Sequence, residues 1–169
     1  FSTPLDLKSG TYQIEVNMTL EQAVEMFRLG EEVQFSFTLL DGDNVYQLLE
    51  KIQQEKHLVN DLAGLSFVQM ANKLNLSQPH PEGMFYPDTY FYTDQTNASQ
   101  LLLRAARKQH EILTKLWQER LPSPYVKTPY EALILASIIE KESANIEEKN
   151  IIASVFYNRL KKGMRLQTD

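Results

Sequence analysis

The sequence contains no cysteine. Disulfides, zinc-thiolate sites and cysteine nucleophiles are therefore excluded. The redox compartment stays open, because a cysteine-free chain is safe in either setting. Glycines number only six, and neither a Gly-rich phosphate loop nor a Gly-x-Ser-x-Gly elbow is present. Long apolar runs are missing as well. The longest, Ala132 to Ile139, is interrupted at Ser137 and falls far short of the ~20 residues a membrane span needs. Basic charge is scarce: 17 Lys and Arg face 22 Asp and Glu, a net charge of −5. An acidic chain without a basic stripe argues against nucleic acid, where phosphates demand clustered Lys and Arg. The histidines, His57, His80 and His110, share no metal-ligand spacing. No metal and no other cofactor is expected.

What remains is an ordinary globular composition, 43% hydrophobic and 23% charged over 169 residues. That is enough for one domain, or two small ones, with a core of its own. No signal peptide is visible. The start at Phe1 and the end at Gln167-Thr168-Asp169 read as trimmed ends of a longer chain.

The first segment alternates strand and helix. Tyr12, Ile14 and Val16 alternate with polar residues, which predicts a half-buried strand over 11–16. Thr19 with Gln22 forms a capping box for a helix striped by Leu20, Val24 and Phe27, and Gly30 stops it. Val33, Phe35, Phe37 and Leu39 predict a second strand. Asp41-Gly42-Asp43-Asn44 is a turn that starts the next helix, striped by Val45, Leu48, Leu49 and Ile52. Leu65, Val68, Met70 and Leu74 suggest another helix. The stretch from Met84 to Tyr92 is dense in aromatics and broken by Pro87, so it predicts neither a regular helix nor a central strand. Asn97 caps a long helix carrying Leu101, Leu102, Ala105, Ile112, Leu116 and Trp117, and Leu121 to Pro129 breaks it.

Thr128-Pro129-Tyr130-Glu131 supplies a cap, a proline at the first helical position and a glutamate at the third. The following run, Ala132 to Ile139, is apolar on nearly every side and predicts a buried central helix. Glu142 ends it on the face of Leu135 and Ile138. A carboxylate beside an apolar stripe, at the negative end of a helix dipole, is held protonated more readily and can serve as a general acid. A solvated last turn is the plainer alternative. Glu140 lies on the other side, near Leu133 and Ala136, so the two carboxylates do not form a glycosidase pair. Asn145 starts a last helix, ended by Gly163. The aromatics Phe85, Tyr86, Tyr90, Phe91 and Tyr92 suit either a sugar groove or core packing.

Several of these segments together resemble one family. The run from Thr128 to Ser143, with Ala136-Ser137-Ile138-Ile139-Glu140-Lys141-Glu142-Ser143 at its end, resembles the active-site helix of the endolytic murein transglycosylase (MltG, or YceG-like) family. Ala153 to Leu160 and Gly163 to Asp169 are similar to its next motif. Pro81-Glu82-Gly83 through Pro87-Asp88-Thr89-Tyr90 resembles its Glu-Gly…Pro-Asp-Thr-Tyr loop. Ser9-Gly10-Thr11-Tyr12 resembles the opening of its small LysM-like subdomain. Where the family usually has Glu-Gly, this chain has Asp41-Gly42.

The resemblance implies a bacterial inner-membrane protein with one N-terminal anchoring helix and a catalytic part in the periplasm. It implies non-hydrolytic, internal cleavage of nascent peptidoglycan glycan strands between N-acetylmuramic acid and N-acetylglucosamine, leaving a 1,6-anhydro end. Penicillin-binding proteins are the partners it implies. The catalytic glutamate falls on Glu142. Tyr90, Asn158, Gln167 and Glu82 are candidates for substrate contacts. The expected fold is α+β: a LysM-like βαβ-type unit over about residues 1–40, then a mainly helical, lysozyme-like catalytic domain over 41–169 that lacks the family's C-terminal stretch. A hydrolytic muramidase would need a second carboxylate, Glu82 or Asp88. A non-catalytic scaffold that binds peptidoglycan and recruits synthases is the reading from another class.

Overall fold

Each helix begins where a capping side chain stands. The computed structural model describes residues 6–143 and 145–166. Thr19 and Gln22 exchange hydrogen bonds at the start of α1 (Leu20–Leu29), and Gly30, with φ +75°, ends it. A strand, β1 (Gln34–Thr38), follows. Asn44 and Gln47 form the same reciprocal box at α2 (Val45–Gln54). The short strand β2 (Leu58–Val59) leads to α3 (Phe67–Lys73), boxed by Ser66 and Gln69. Then come β3 (Thr89–Thr93), β4 (Thr96–Asn97) and the long α4 (Ala98–Glu119). The chain closes with α5 (Pro129–Glu142) and α6 (Ile146–Lys161). Helices dominate and the sheets are small, so the fold is α+β.

β1 pairs antiparallel with β3, from Gln34 opposite Thr93 to Thr38 opposite Thr89. β2 pairs parallel with β4. The main core lies between the β1–β3 ribbon and α2, α3 and α4. Ile52, Met70, Leu74, Leu101 and Leu102 are at most 1% exposed, and Phe37, Tyr90 and Tyr92 close the core from the ribbon. A second, smaller cluster joins Val126, Leu135 and Phe156, with Trp117, Ile138, Ile139 and Ile152 packed around it.

Three expectations change. Residues 11–16 form no strand: the carbonyl of Thr11 accepts the N–H of Val33 at 2.9 Å, and no strand pairing extends from it. Ile14 and Val16 are exposed. The described residues therefore hold no strand before α1, and β1 finds its partner in β3, across the boundary expected at residue 40. The aromatic stretch does yield a strand once past Pro87. Its period of two sends Tyr90 and Tyr92 into the core and leaves Phe91 outside. Last, α5 is not buried all round. Leu135 alone on it is fully buried, and Ile134 is 43% exposed. Its cover comes from α4, α6 and the segment around Val126, which pack on part of its surface only.

Candidate active site

The last turn of α5 stands at a junction of three chain segments. Pro129 at its first position and the box between Thr128 and Glu131 fix where the helix starts. Near its end, the ammonium of Lys141 donates to the carbonyl of Gly42, 3.3 Å away in the turn before α2. Further back, Leu133 lies against Gly83: a Cβ added there would sit 3.4 Å from its Cδ2. Gly83 has φ +74°, a conformation that favours glycine. Glu82, beside it, turns to α2, and its Oε2 accepts the N–H of Val45 at 3.0 Å. So two loops distant in sequence meet α5, Asp41-Gly42 near its end through Lys141 and Glu82-Gly83 in its first half through Leu133.

The polar residues at the end of α5 fall into two kinds. Glu140 accepts from Lys149 of α6 at 2.7 Å. Lys141 is tied to Gly42. Ser143 donates to Glu148 at 2.7 Å and accepts the N–H of Asn145 at 3.0 Å. The side chain of Glu142 has no hydrogen bond or ion pair among the described residues. It shares its face with the buried Leu135, as the helical period predicts. Yet it is exposed, because α5 projects past the packing that covers Leu135.

The YceG-like family matches residues 2–169. The chain belongs to that family. It is 28% identical to the endolytic murein transglycosylase of Bacillus subtilis (strain 168), over 96% of this chain and 49% of that protein. It is likewise 28% identical to the endolytic murein transglycosylase of Streptococcus pneumoniae (strain ATCC BAA-255 / R6), over 97% of this chain and 34% of that protein. The fold is similar to the crystal structure of a YceG-like protein from Listeria monocytogenes, with a TM-score of 0.54 and 26% identity, over 97% of this chain and 60% of that one. The chain thus spans between a third and a half of the curated relatives' length.

The other candidate residues of this YceG-like chain are placed unequally. Tyr90 belongs to the core: it is 7% exposed, its hydroxyl donates to the carbonyl of Tyr86 at 2.8 Å, and burial pushes that hydroxyl up to about 12. A groove contact through it would have to break that bond. Asn158 is exposed on α6. Gln167 lies outside the described residues. Glu82 is exposed and serves α2. Asp88 is paired with Lys108 of α4 and accepts the N–H of Thr89 at 2.8 Å; these partners hold its carboxyl below the usual carboxylate range.

Sequence reading missed a cavity of about 360 Å³ between α4 and α5. Tyr86, Leu113, Trp117, Leu133, Ala136 and Tyr157 are among its lining residues. It opens on the Leu133 side of α5, on the opposite face from Glu142 and about two and a half turns back along the helix. Only the packing of α4 against α5 brings these residues together, so no local pattern could have revealed it.

No described helix is long and apolar enough to cross a membrane.

Proposed function

We propose that this chain is the catalytic part of an endolytic lytic transglycosylase of peptidoglycan, with Glu142 as its one acid and base. The observation that carries the reading is the free carboxyl of Glu142 at the end of α5, beside neighbours that are all engaged. The names of the curated relatives support the class of reaction.

Protonated Glu142 donates to the glycosidic oxygen as its bond to C1 of N-acetylmuramic acid breaks. The carboxylate left behind takes the proton of the muramyl 6-hydroxyl, whose oxygen closes on C1. The product is a 1,6-anhydro end and a free 4-hydroxyl on the leaving N-acetylglucosamine. No water is consumed, so no second carboxylate is needed. Nucleophile and electrophile share one sugar, which removes the entropic cost of bringing them together. The engagement of Glu82 with Val45 and of Asp88 with Lys108 supports this single-carboxylate route over a hydrolytic one. The bound glycan supplies the desolvation that Glu142 lacks in the free protein. Asn158 and Gln167 belong to the same proposal as groove contacts. So do a LysM-like role for residues about 1–40, action outside the inner membrane on an N-terminal anchor, and work beside penicillin-binding proteins.

Mass spectrometry of glycan strands incubated with the protein and with Glu142→Gln tests the reading. Ends one water lighter than reducing ends are expected from the protein, with a loss of about 10²–10⁴-fold in the variant. Reducing ends would mean hydrolysis. Strands bound but left intact by the folded protein would leave the scaffold reading.

A further inference from the structure

On the outer side of the β1–β3 ribbon, a groove of about 570 Å³ runs between β3 and α4, away from Glu142's helix. Phe91, Gln34, Thr96, Gln100, Arg104 and Arg107 are among its lining residues. Phe91 faces Ser36 across the ribbon, and that small partner leaves its ring 58% exposed. Arg104 and Arg107 stand three residues apart on α4, so they are neighbours on one helix face. Neither guanidinium has a hydrogen bond or ion pair among the described residues. In a chain with five more acidic than basic residues, two adjacent arginines without a carboxylate partner are unexpected.

We infer that this groove is a second ligand site, which takes the carboxylate-bearing peptide stems of a peptidoglycan strand. The inference rests on the proposed peptidoglycan substrate. Two guanidinium forks match planar carboxylates in pairs of parallel hydrogen bonds. Gln34 offers both a donor and an acceptor, and Gln100, whose Oε1 already accepts the N–H of Asn97 at 3.1 Å, adds its amide donors, which suit the carbonyls of a peptide. The Phe91 ring offers an apolar face to a sugar or an alanine methyl. A simple anion would use the arginines alone and leave the ring, the two amides and most of the cavity idle. The volume is that of an organic ligand rather than an ion. Strands that carry stems would thus be held at two places, at Glu142 through sugar and at α4 through peptide.

Calorimetric titration with three probes tests this: a muramyl disaccharide carrying its tetrapeptide, the same disaccharide without peptide, and inorganic phosphate. The stem-bearing probe is expected to bind at least tenfold tighter than the bare disaccharide. The double variant Arg104→Gln/Arg107→Gln, which keeps good helix formers on an exposed face, is expected to abolish that preference with its thermal midpoint unchanged. Phe91→Ala is expected to weaken the same probe severalfold with both arginines intact. Equal affinity for the two disaccharides overturns the inference, as does a double variant that keeps the preference. Phosphate bound as tightly as the stem-bearing probe overturns it too, by reducing the groove to an anion site. The cleavage assay on Glu142→Gln is separate. Strands that bind by their stems but are never cut sink the catalytic proposal and leave the groove; strands cut normally without stem preference sink the groove alone.

Discussion

The Oε2 atom of Glu82 accepts the backbone N–H of Val45 at 3.0 Å, at the first residue of α2. That helix has no acidic residue in its own first turn, so the loop supplies the negative charge its dipole favours. Glu82→Ala should lower stability by about 1 kcal/mol, and Glu82→Gln by less, since an amide oxygen still accepts. Urea unfolding of both variants checks this. Unchanged stability in Glu82→Ala, with weaker glycan binding, would instead make Glu82 a substrate contact.

Gly83 and Gly64 have nearly the same φ, +74° and +75°, but different surroundings. A Cβ on Gly64 would meet nothing within 4 Å, whereas one on Gly83 would already touch Leu133 of α5, at 3.4 Å. Gly64→Ala should cost about 1 kcal/mol from backbone strain alone. Gly83→Leu should cost more, and it alone should also slow cleavage, because a side chain longer than a methyl would push on the helix that carries Glu142. Thermal midpoints and cleavage rates of the pair separate the two effects.

Two core truncations should differ in size. Ile52 is fully buried in the main core, and Leu135 sits in the smaller cluster beneath a half-covered helix. Ile52→Ala should cost about 3–4 kcal/mol, and Leu135→Ala about 2, because the thinner cluster can collapse around the gap. Equal losses in urea unfolding would contradict the uneven packing.

Asp61 joins α3 to α4. It accepts the N–H and hydroxyl of Ser99 at 2.9 and 2.6 Å and pairs with Lys73 at 2.8 Å. Partial burial raises its pKa, but Lys73 and Ser99 outweigh that and leave it below the usual carboxylate range. A group depressed on folding stabilises above its unfolded pKa and loses that contribution as pH falls through the folded one. Asp61→Asn should therefore be less stable than the parent by about 1–2 kcal/mol at neutral pH. The gap should narrow as pH falls below the ordinary aspartate pKa of about 4 and close as it passes through the lowered folded value. A gap that stays constant across that range in urea titrations would remove Asp61 as its source.

Local signals were legible in the sequence and long-range ones were not. Thr19 with Gln22 and Thr128 with Glu131 cap helices within three residues of themselves, and both stand as read; the box of Asn44 with Gln47 is equally local. The alternation at 11–16 has the pattern of a strand, but a strand exists only with a partner, and among the described residues no paired strand lies beside it. The apolar run of α5 was equally misleading, since composition says what a helix could bury and not what is present to cover it. Glu142 is located by its motif, while its freedom from partners emerges only when Lys149, Gly42 and Glu148 are seen to occupy its neighbours. Arg104 and Arg107 carry no signal in the sequence, and their groove forms only when β3 brings Phe91 beside α4.

The ribbon has a consequence for the newly made chain. Thr38 and Thr89, whose hydroxyls meet at 2.9 Å, are separated by 51 positions. Closing a loop of that length costs entropy that the core contacts beneath the ribbon must offset. During synthesis β1 therefore leaves the ribosome well before its complement and waits with an open edge, the state in which strands pair with the wrong chain. Its polar face, Gln34, Ser36 and Thr38 alternating with the core residues, leaves only one side of the waiting strand apolar until β3 arrives.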